Sequence, residues 1–193
     1  IVLADHGDGM GSHRMVTKQV SFYEEMTNVP FIIAGPGIHP RQKPVEDLLT
    51  QPTIDLLPTL CELAGIPVPS SKPGISLAPF LKGEKQKRQH PYAASEWHSE
   101  YEVTVSPGRM IRSPRYKYTH YLEGNGEELY DMLKDKGERR NLAHDPKYSK
   151  ILAEHRALLD DYIRRTQDDY RSLKVEADKR WRCLLYTSDA ADD

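Results

Sequence analysis

The stretch Asp5-His6-Gly7-Asp8-Gly9-Met10-Gly11-Ser12-His13-Arg14-Met15-Val16-Thr17-Lys18 lies between two short apolar runs, Ile1-Val2-Leu3-Ala4 before it and Val29-Pro30-Phe31-Ile32-Ile33-Ala34 beyond it. The first run stops at Asp5-His6-Gly7 and the second at Gly35-Pro36-Gly37. Near-continuous apolar runs of this length are the pattern of strands covered on both faces by helices, so both read as central parallel strands of an α/β sheet. Ligands in such folds gather at the carboxyl ends of the strands, the edge at which Asp5 and His6 stand. Between the runs, residues 12–26 are polar and poor in glycine, and they end in a helix-like stretch with Phe22, Tyr23 and Met26.

Further along, Asp55-Leu56-Leu57-Pro58-Thr59-Leu60-Cys61-Glu62-Leu63-Ala64-Gly65 has Asp at its start, Pro in its first turn and Gly just past its end, which predicts a helix. Prolines 67, 69, 73 and 79 mark a loop-rich connection, and the basic stretch 82–90 reads as a solvated linker at a subdomain boundary. Residues 109–112 and 116–121, separated by Ser113-Pro114-Arg115, read as a β-hairpin, with 128–131 as a third strand. From Tyr148 the apolar positions Ile151, Leu152, Leu158, Leu159 and Tyr162 recur at helical spacing, so a long amphipathic helix is expected to pack on that small antiparallel sheet. The expected division is residues 1–90, residues 91–170, and a tail over 171–182.

Composition narrows the partners. The chain of 193 residues is 38% hydrophobic and 29% charged, with net charge −2. It holds no apolar run near membrane-spanning length, and its net charge is close to balanced, so neither nucleic acid nor membrane is expected as a partner. Two cysteines, Cys61 and Cys183, supply neither a disulfide framework nor zinc-ligand spacing. The opening Ile1-Val2-Leu3 carries no initiator Met, and the chain is expected to begin inside a longer protein. Residues 183–193 resemble a translated sequencing adapter and are set aside as a non-native tail.

An Asp-His pair offers one centre a carboxylate oxygen and an imidazole nitrogen, which suits a divalent cation, although Asp after a strand also serves as a turn or helix cap. The wider order is more specific. Asp-His, a glycine-rich turn, Lys18 thirteen positions after Asp5, then Phe22-Tyr23-Glu24-Glu25 and Val29-Pro30-Phe31 resembles the second half of the catalytic domain of sulfatases, in the alkaline phosphatase superfamily. Two later segments agree: 55–60 with Ala64-Gly65-Ile66, and Glu128-Leu129-Tyr130-Asp131 with Gly137-Glu138-Arg139-Arg140-Asn141-Leu142. The resemblance covers the chain from Ile1 to about Asp169. It implies an α/β fragment with a mixed or parallel sheet, flanking helices, and a small C-terminal antiparallel sheet packed by a long helix.

The resemblance further implies that Asp5 and His6 are two of the metal ligands and that Lys18 contacts a sulfate oxygen. Ca²⁺ is the expected metal, with Mn²⁺ or another divalent ion also suited to a histidine-containing site. His13, between the ligand pair and Lys18, is a candidate to protonate a leaving group or to contact a substrate hydroxyl. Trp97, His98 and the arginines at 109, 112 and 115 are candidates to grip a sulfated sugar, the arginines being equally readable as solvated edge residues. The expected substrate is a sulfated small molecule or glycan, and secretion to the periplasm or beyond is expected from the resemblance alone.

In that family a Cys or Ser within Cys/Ser-x-Pro/Ala-x-Arg becomes formylglycine, and this chain contains no such signature. The nucleophile is therefore expected upstream, and the fragment alone is expected to be inactive. Two rival readings stand beside it: a phosphonate or phosphate ester hydrolase of the same superfamily, and a non-catalytic anion- or glycan-binding homologue. If Lys18 is a charged contact to the transition state, Lys18→Ala in the intact enzyme lowers turnover of a sulfate ester by orders of magnitude while the fold persists. Turnover near that of the wild type contradicts the role.

Overall fold

The structure is a computed structural model and describes residues 1–16, 21–41, 43–45, 48–71, 73–86, 90–98, 107–122 and 126–173. Strand β1 (Val2–Leu3) pairs with β2 (Phe31–Ile32), Val2 opposite Ile32 and Leu3 opposite Phe31. The pairing is antiparallel, which corrects the expectation of two parallel strands. Parallel neighbours need a crossover that returns the chain to the opposite end of the sheet. Here the Gly7 N–H donates to the Met26 carbonyl at 2.9 Å, so the intervening segment leaves and re-enters at the same end. Its described helices are one 3-10 turn, Ser12–Arg14, and the four-residue α1 (Glu24–Thr27), too short to form such a crossover. Val2 and Ile32 stay exposed, so the described residues do not cover that face of the pair.

Helix α2 (Pro52–Leu63) begins three residues before the predicted start, with Pro52 in its first turn and Pro58 inside it. Asp55 is not the helix cap but a fully buried carboxylate in the first turn. A buried carboxylate must be hydrogen-bonded. Asp55 accepts from the Gln51 N–H at 2.7 Å and the Ile75 N–H at 2.8 Å, and His90 Nε2 lies 2.7 Å away. Thr59 continues the tie, accepting from the Leu77 N–H at 3.0 Å ahead of the short helix α3 (Ala78–Leu81). The proline-rich loop is thus stapled to α2. The stretch read as a solvated linker is also held, since Gln86 Nε2 donates to the Ser76 carbonyl at 3.0 Å and His90 meets Asp55; residues 87–89 lie outside the described residues.

The second sheet has four antiparallel strands in chain order: β3 (Ala93–Trp97), β4 (Gly108–Arg112), β5 (Tyr116–Tyr121) and β6 (Gly126–Asp131). The expected hairpin and third strand are present, and β3 is an addition. Helix α4 (Ser149–Thr166) lies on one face, where Tyr92, Ile111, Tyr118, Leu129, Leu152 and Leu159 form the core. His155 of α4 is buried there with Nδ1 2.8 Å from the Ile151 carbonyl and Nε2 2.9 Å from Ser113 Oγ, and burial pushes its pKa down. Arg109 is neither a sulfate grip nor a solvated edge residue: it is buried, paired with Asp168 at 2.6 Å, and its guanidinium stacks over the Tyr170 ring. Arg115 likewise engages Asp131 at 2.7 Å.

Alternation along β5 sends Tyr116 and Tyr118 toward α4 and Lys117 to the other face. Lys117 is buried there, although lysine is among the residues least often buried. Its ammonium donates to the Phe22 carbonyl at 2.9 Å and is ion-paired with Glu24 Oε1 at 2.7 Å and Glu138 Oε1 at 2.9 Å. Glu138 also accepts the Glu24 N–H at 2.6 Å, at the start of α1. Phe22 closes the contact by lying against Gly108, where a Cβ would come within 2.7 Å of its ring. Lys117→Met strands two carboxylates in this buried space and is expected to cost about 3–5 kcal/mol in the full-length protein, measured by urea unfolding. Burial already holds the Glu138 pKa up despite Lys117. A carboxyl raised in the folded state is protonated first there, so the loss in the Lys117→Met variant should shrink as pH falls toward 5.

Candidate functional site

The end of β1 delivers Asp5 and His6 into a turn whose shape depends on Gly7. A Cβ on Gly7 would lie 1.7 Å from the Glu25 carbonyl oxygen, closer than any side chain tolerates, while its N–H bonds Met26. The turn is therefore pressed onto α1. His6 Nδ1 is 2.7 Å from the Gly7 carbonyl. A carbonyl only accepts, so Nδ1 carries a proton. Nε2 lies 3.7 Å from Asp5 Oδ2, and Asp5 Oδ1 accepts the His6 N–H at 3.0 Å.

An imidazole nitrogen and a carboxylate oxygen at that separation fit two positions around one divalent cation, with the other ring nitrogen tied to a backbone carbonyl as metal-binding imidazoles usually are. The pair does not make a complete shell. Among the described residues no group of three or more His, Cys, Asp or Glu side chains gathers as a metal site.

Beyond Gly7 the loop tightens again. Gly11 sits at φ +92°, and His13 and Arg14 hold φ of 49° and 61°, a left-handed backbone that non-glycine residues adopt only when neighbours impose it. For His13 those neighbours are Tyr23, just before α1, and Glu25 in its first turn. The Tyr23 ring lies parallel to the imidazole with centroids 3.7 Å apart. Glu25 accepts the Ser12 hydroxyl and places Oε2 3.9 Å from His13 Nε2. Partial burial pushes the Glu25 pKa up, but the Ser12 hydroxyl and the residue's own N–H outweigh it, so the carboxyl sits below its usual value. Tyr23 is raised, first by burial and then by Glu128, and its hydroxyl is hydrogen-bonded to Tyr130 of β6.

The structure thus brings Asp5, His6 and His13 onto one loop. Lys18 lies outside the described residues. His98 follows β3 and is exposed within electrostatic reach of Asp168, whose pKa is held down mainly by Arg109. Trp97 at the end of β3 pairs with Gly108, the glycine against which Phe22 packs, so this end of the sheet reaches the residue before Tyr23. Residue-by-residue reading missed Tyr23, Glu25 and Lys117. The first two were legible as Tyr-Glu-Glu, but nothing in the sequence pairs them with His13 or joins Glu24 to a lysine 93 positions away.

Residues 11–165 match the family model described as N-sulphoglucosamine sulphohydrolase, C-terminal. The chain belongs to the sulfatase family. Among sulfatases, it is 77% identical over 182 residues to the Delta 4,5-hexuronate-2-O-sulfatase of Bacteroides thetaiotaomicron, a match covering 94% of this chain and 38% of that protein. The solved structure of a 2-O GAG sulfatase superposes with a TM-score of 0.90 at 76% identity, over 96% of this chain and 40% of the other. The phosphonate monoester hydrolase of Silicibacter pomeroyi superposes with a TM-score of 0.73 at 28% identity, over 89% and 36%. The chain therefore spans about two-fifths of the length of these sulfatase relatives, and its fold is shared with a phosphonate hydrolase.

Gly7→Ala tests the turn. The added Cβ must part the loop from α1, with an expected cost of about 3 kcal/mol in the full-length protein. A melting temperature equal to that of the wild type contradicts the packing described for this turn.

Proposed function

We propose that this chain is the C-terminal share of a sulfatase that hydrolyses sulfate esters on glycans, with a 2-O-sulfated hexuronate as the substrate class. The observation that carries the reading is the Asp5–His6 pair: a carboxylate oxygen 3.7 Å from an imidazole nitrogen, fixed on a turn shared with His13. The 77% identity to a hexuronate-2-O-sulfatase supports the choice of sulfate over phosphonate and of a uronate as the sugar. Residues 1–90 are assigned to the catalytic domain, residues 91–170 to the C-terminal subdomain, residues 171–182 to a tail, and residues 183–193 to a non-native segment.

Asp5 and His6 would hold a divalent cation, Ca²⁺ first and Mn²⁺ next, completed by ligands from elsewhere in the protein. When bound, that cation supplies positive charge beside the non-bridging sulfate oxygens, where negative charge grows during hydrolysis. Lys18 would contact a sulfate oxygen. His13 gives its proton to the bridging oxygen, which otherwise leaves as a poor alkoxide. His98, exposed near the end of β3 that meets Phe22, contacts the sugar. The nucleophile is a formylglycine contributed by a part of the protein outside this chain.

The test is made on the full-length protein with a 2-O-sulfated Δ4,5-hexuronate disaccharide and, separately, a phosphonate monoester. Sulfate release far in excess of phosphonate cleavage is expected, together with bound metal that falls in His6→Ala when measured by elemental analysis. Preferential cleavage of the phosphonate contradicts the sulfatase reading, and full metal occupancy in His6→Ala contradicts the ligand assignment.

A further inference from the structure

Resting on that reading, we propose that Glu25 is a positioning residue for His13, with Tyr23 as the platform beneath the imidazole: together they hold the leaving-group acid in its working orientation. His13 lies at a left-handed backbone angle at which few residues settle, so its side-chain direction is set by contacts and not by local preference. Two contacts fix it. The Tyr23 ring is stacked within 1° of parallel, which defines the plane of the imidazole. The Glu25 carboxylate faces Nε2, which defines the rotation of the ring within that plane. Glu25 Oε2 stands 3.9 Å from Nε2, a charge contact beyond hydrogen-bond reach, and Nδ1, on the side of the ring away from that carboxylate, is the nitrogen assigned to the substrate.

The bracket is itself anchored. Glu25 is pinned by the Ser12 hydroxyl, Tyr23 by Tyr130, and Glu24 between them by buried Lys117. Three consecutive side chains thus point to three different supports, which a helix of only four residues could not organise without the sheet behind it. In the step concerned, an oxygen nucleophile forms a new S–O bond and the bridging S–O bond breaks with its electron pair going to the sugar oxygen. The proton from His13 neutralises that oxygen, so a neutral alcohol departs. A carboxylate facing the far side of the imidazole steadies the protonated form before transfer and keeps the ring from rotating out of line, a role for which misplacement is costly.

The experiment is a double-mutant cycle in the full-length enzyme with the 2-O-sulfated hexuronate disaccharide as substrate. Glu25→Gln keeps the volume and removes the charge. It is expected to lower kcat about 10²-fold with KM little changed. In a His13→Ala background the same substitution is expected to have almost no further effect, because the group it positions is gone. A loss of equal size in both backgrounds, or no loss in either, overturns the proposal. Tyr23→Leu gives an independent second arm: it should also lose its effect once His13 is absent, and persistence of the effect overturns the platform role. If the wild-type enzyme is inert toward the sulfated disaccharide, the sulfatase reading fails first and the proposal falls with it, an outcome distinct from additive loss in an active enzyme.

Discussion

Lys117 places a full positive charge inside the protein, and the surrounding structure is arranged to answer it. It is ion-paired with Glu24 and Glu138 and donates to the Phe22 carbonyl, partners supplied by two parts of the chain, residues 22–24 and residue 138, that lie far apart in sequence. Such a cluster is a poor source of net stability, because taking charges out of water costs about what their attraction returns. Its value is geometric. An ammonium with three fixed partners admits one docking of α1 on the sheet, where an apolar contact of the same area would tolerate several. Glu138 can serve only because its backbone takes φ 48° and turns the side chain inward, a conformation stabilised by Asp135, whose carboxylate accepts the N–H groups of Arg139 and Arg140.

From that docking the candidate site follows by short steps. Once α1 is seated, the Met26 carbonyl receives Gly7 and sets the turn that carries Asp5 and His6. Tyr23 and Glu25, flanking the anchored Glu24, close on His13. The small sheet therefore acts at a distance on the loop, through a helix of four residues. The segments by which the chain resembles its family divide accordingly: Asp5-His6-Gly7 and His13 lie on the candidate-site loop, while Glu138 through Leu142 work as scaffold. Asn141 shows this directly, accepting the Leu129 and Ala143 N–H groups and donating to the Glu127 carbonyl.

Much of the second sheet was legible because its signals are local. The hairpin β4–β5 is marked by Ser113-Pro114-Arg115, and α4 by apolar spacing over several turns. Strand β3 was not, since Ala93-Ala94-Ser95-Glu96-Trp97 lacks the β-branched alternation that identifies strands and gains its place by pairing with β4. The direction of β1 against β2 escaped for a related reason: an apolar run reports burial and not orientation, and orientation depended on the contact of Gly7 with Met26. Asp5, His6 and His13 could be picked out by residue type and spacing. Their supports could not, because Lys117 and Arg109 look like surface cations until the fold brings Glu24 and Asp168 to them.

The claim that the buried charge cluster holds the site loop in place is tested most directly by amide hydrogen exchange in a Glu24→Ala variant of the full-length protein. Removing the Glu24 carboxylate from Lys117 while leaving the Lys117–Glu138 pair and the backbone contacts should speed exchange at the Gly7 and Gly11 amides by at least about tenfold, with the β5 and β6 amides at Tyr118 and Leu129 unchanged. Protection at Gly7 and Gly11 equal to that of the wild type would contradict the account, since the loop would then be held by something other than this cluster.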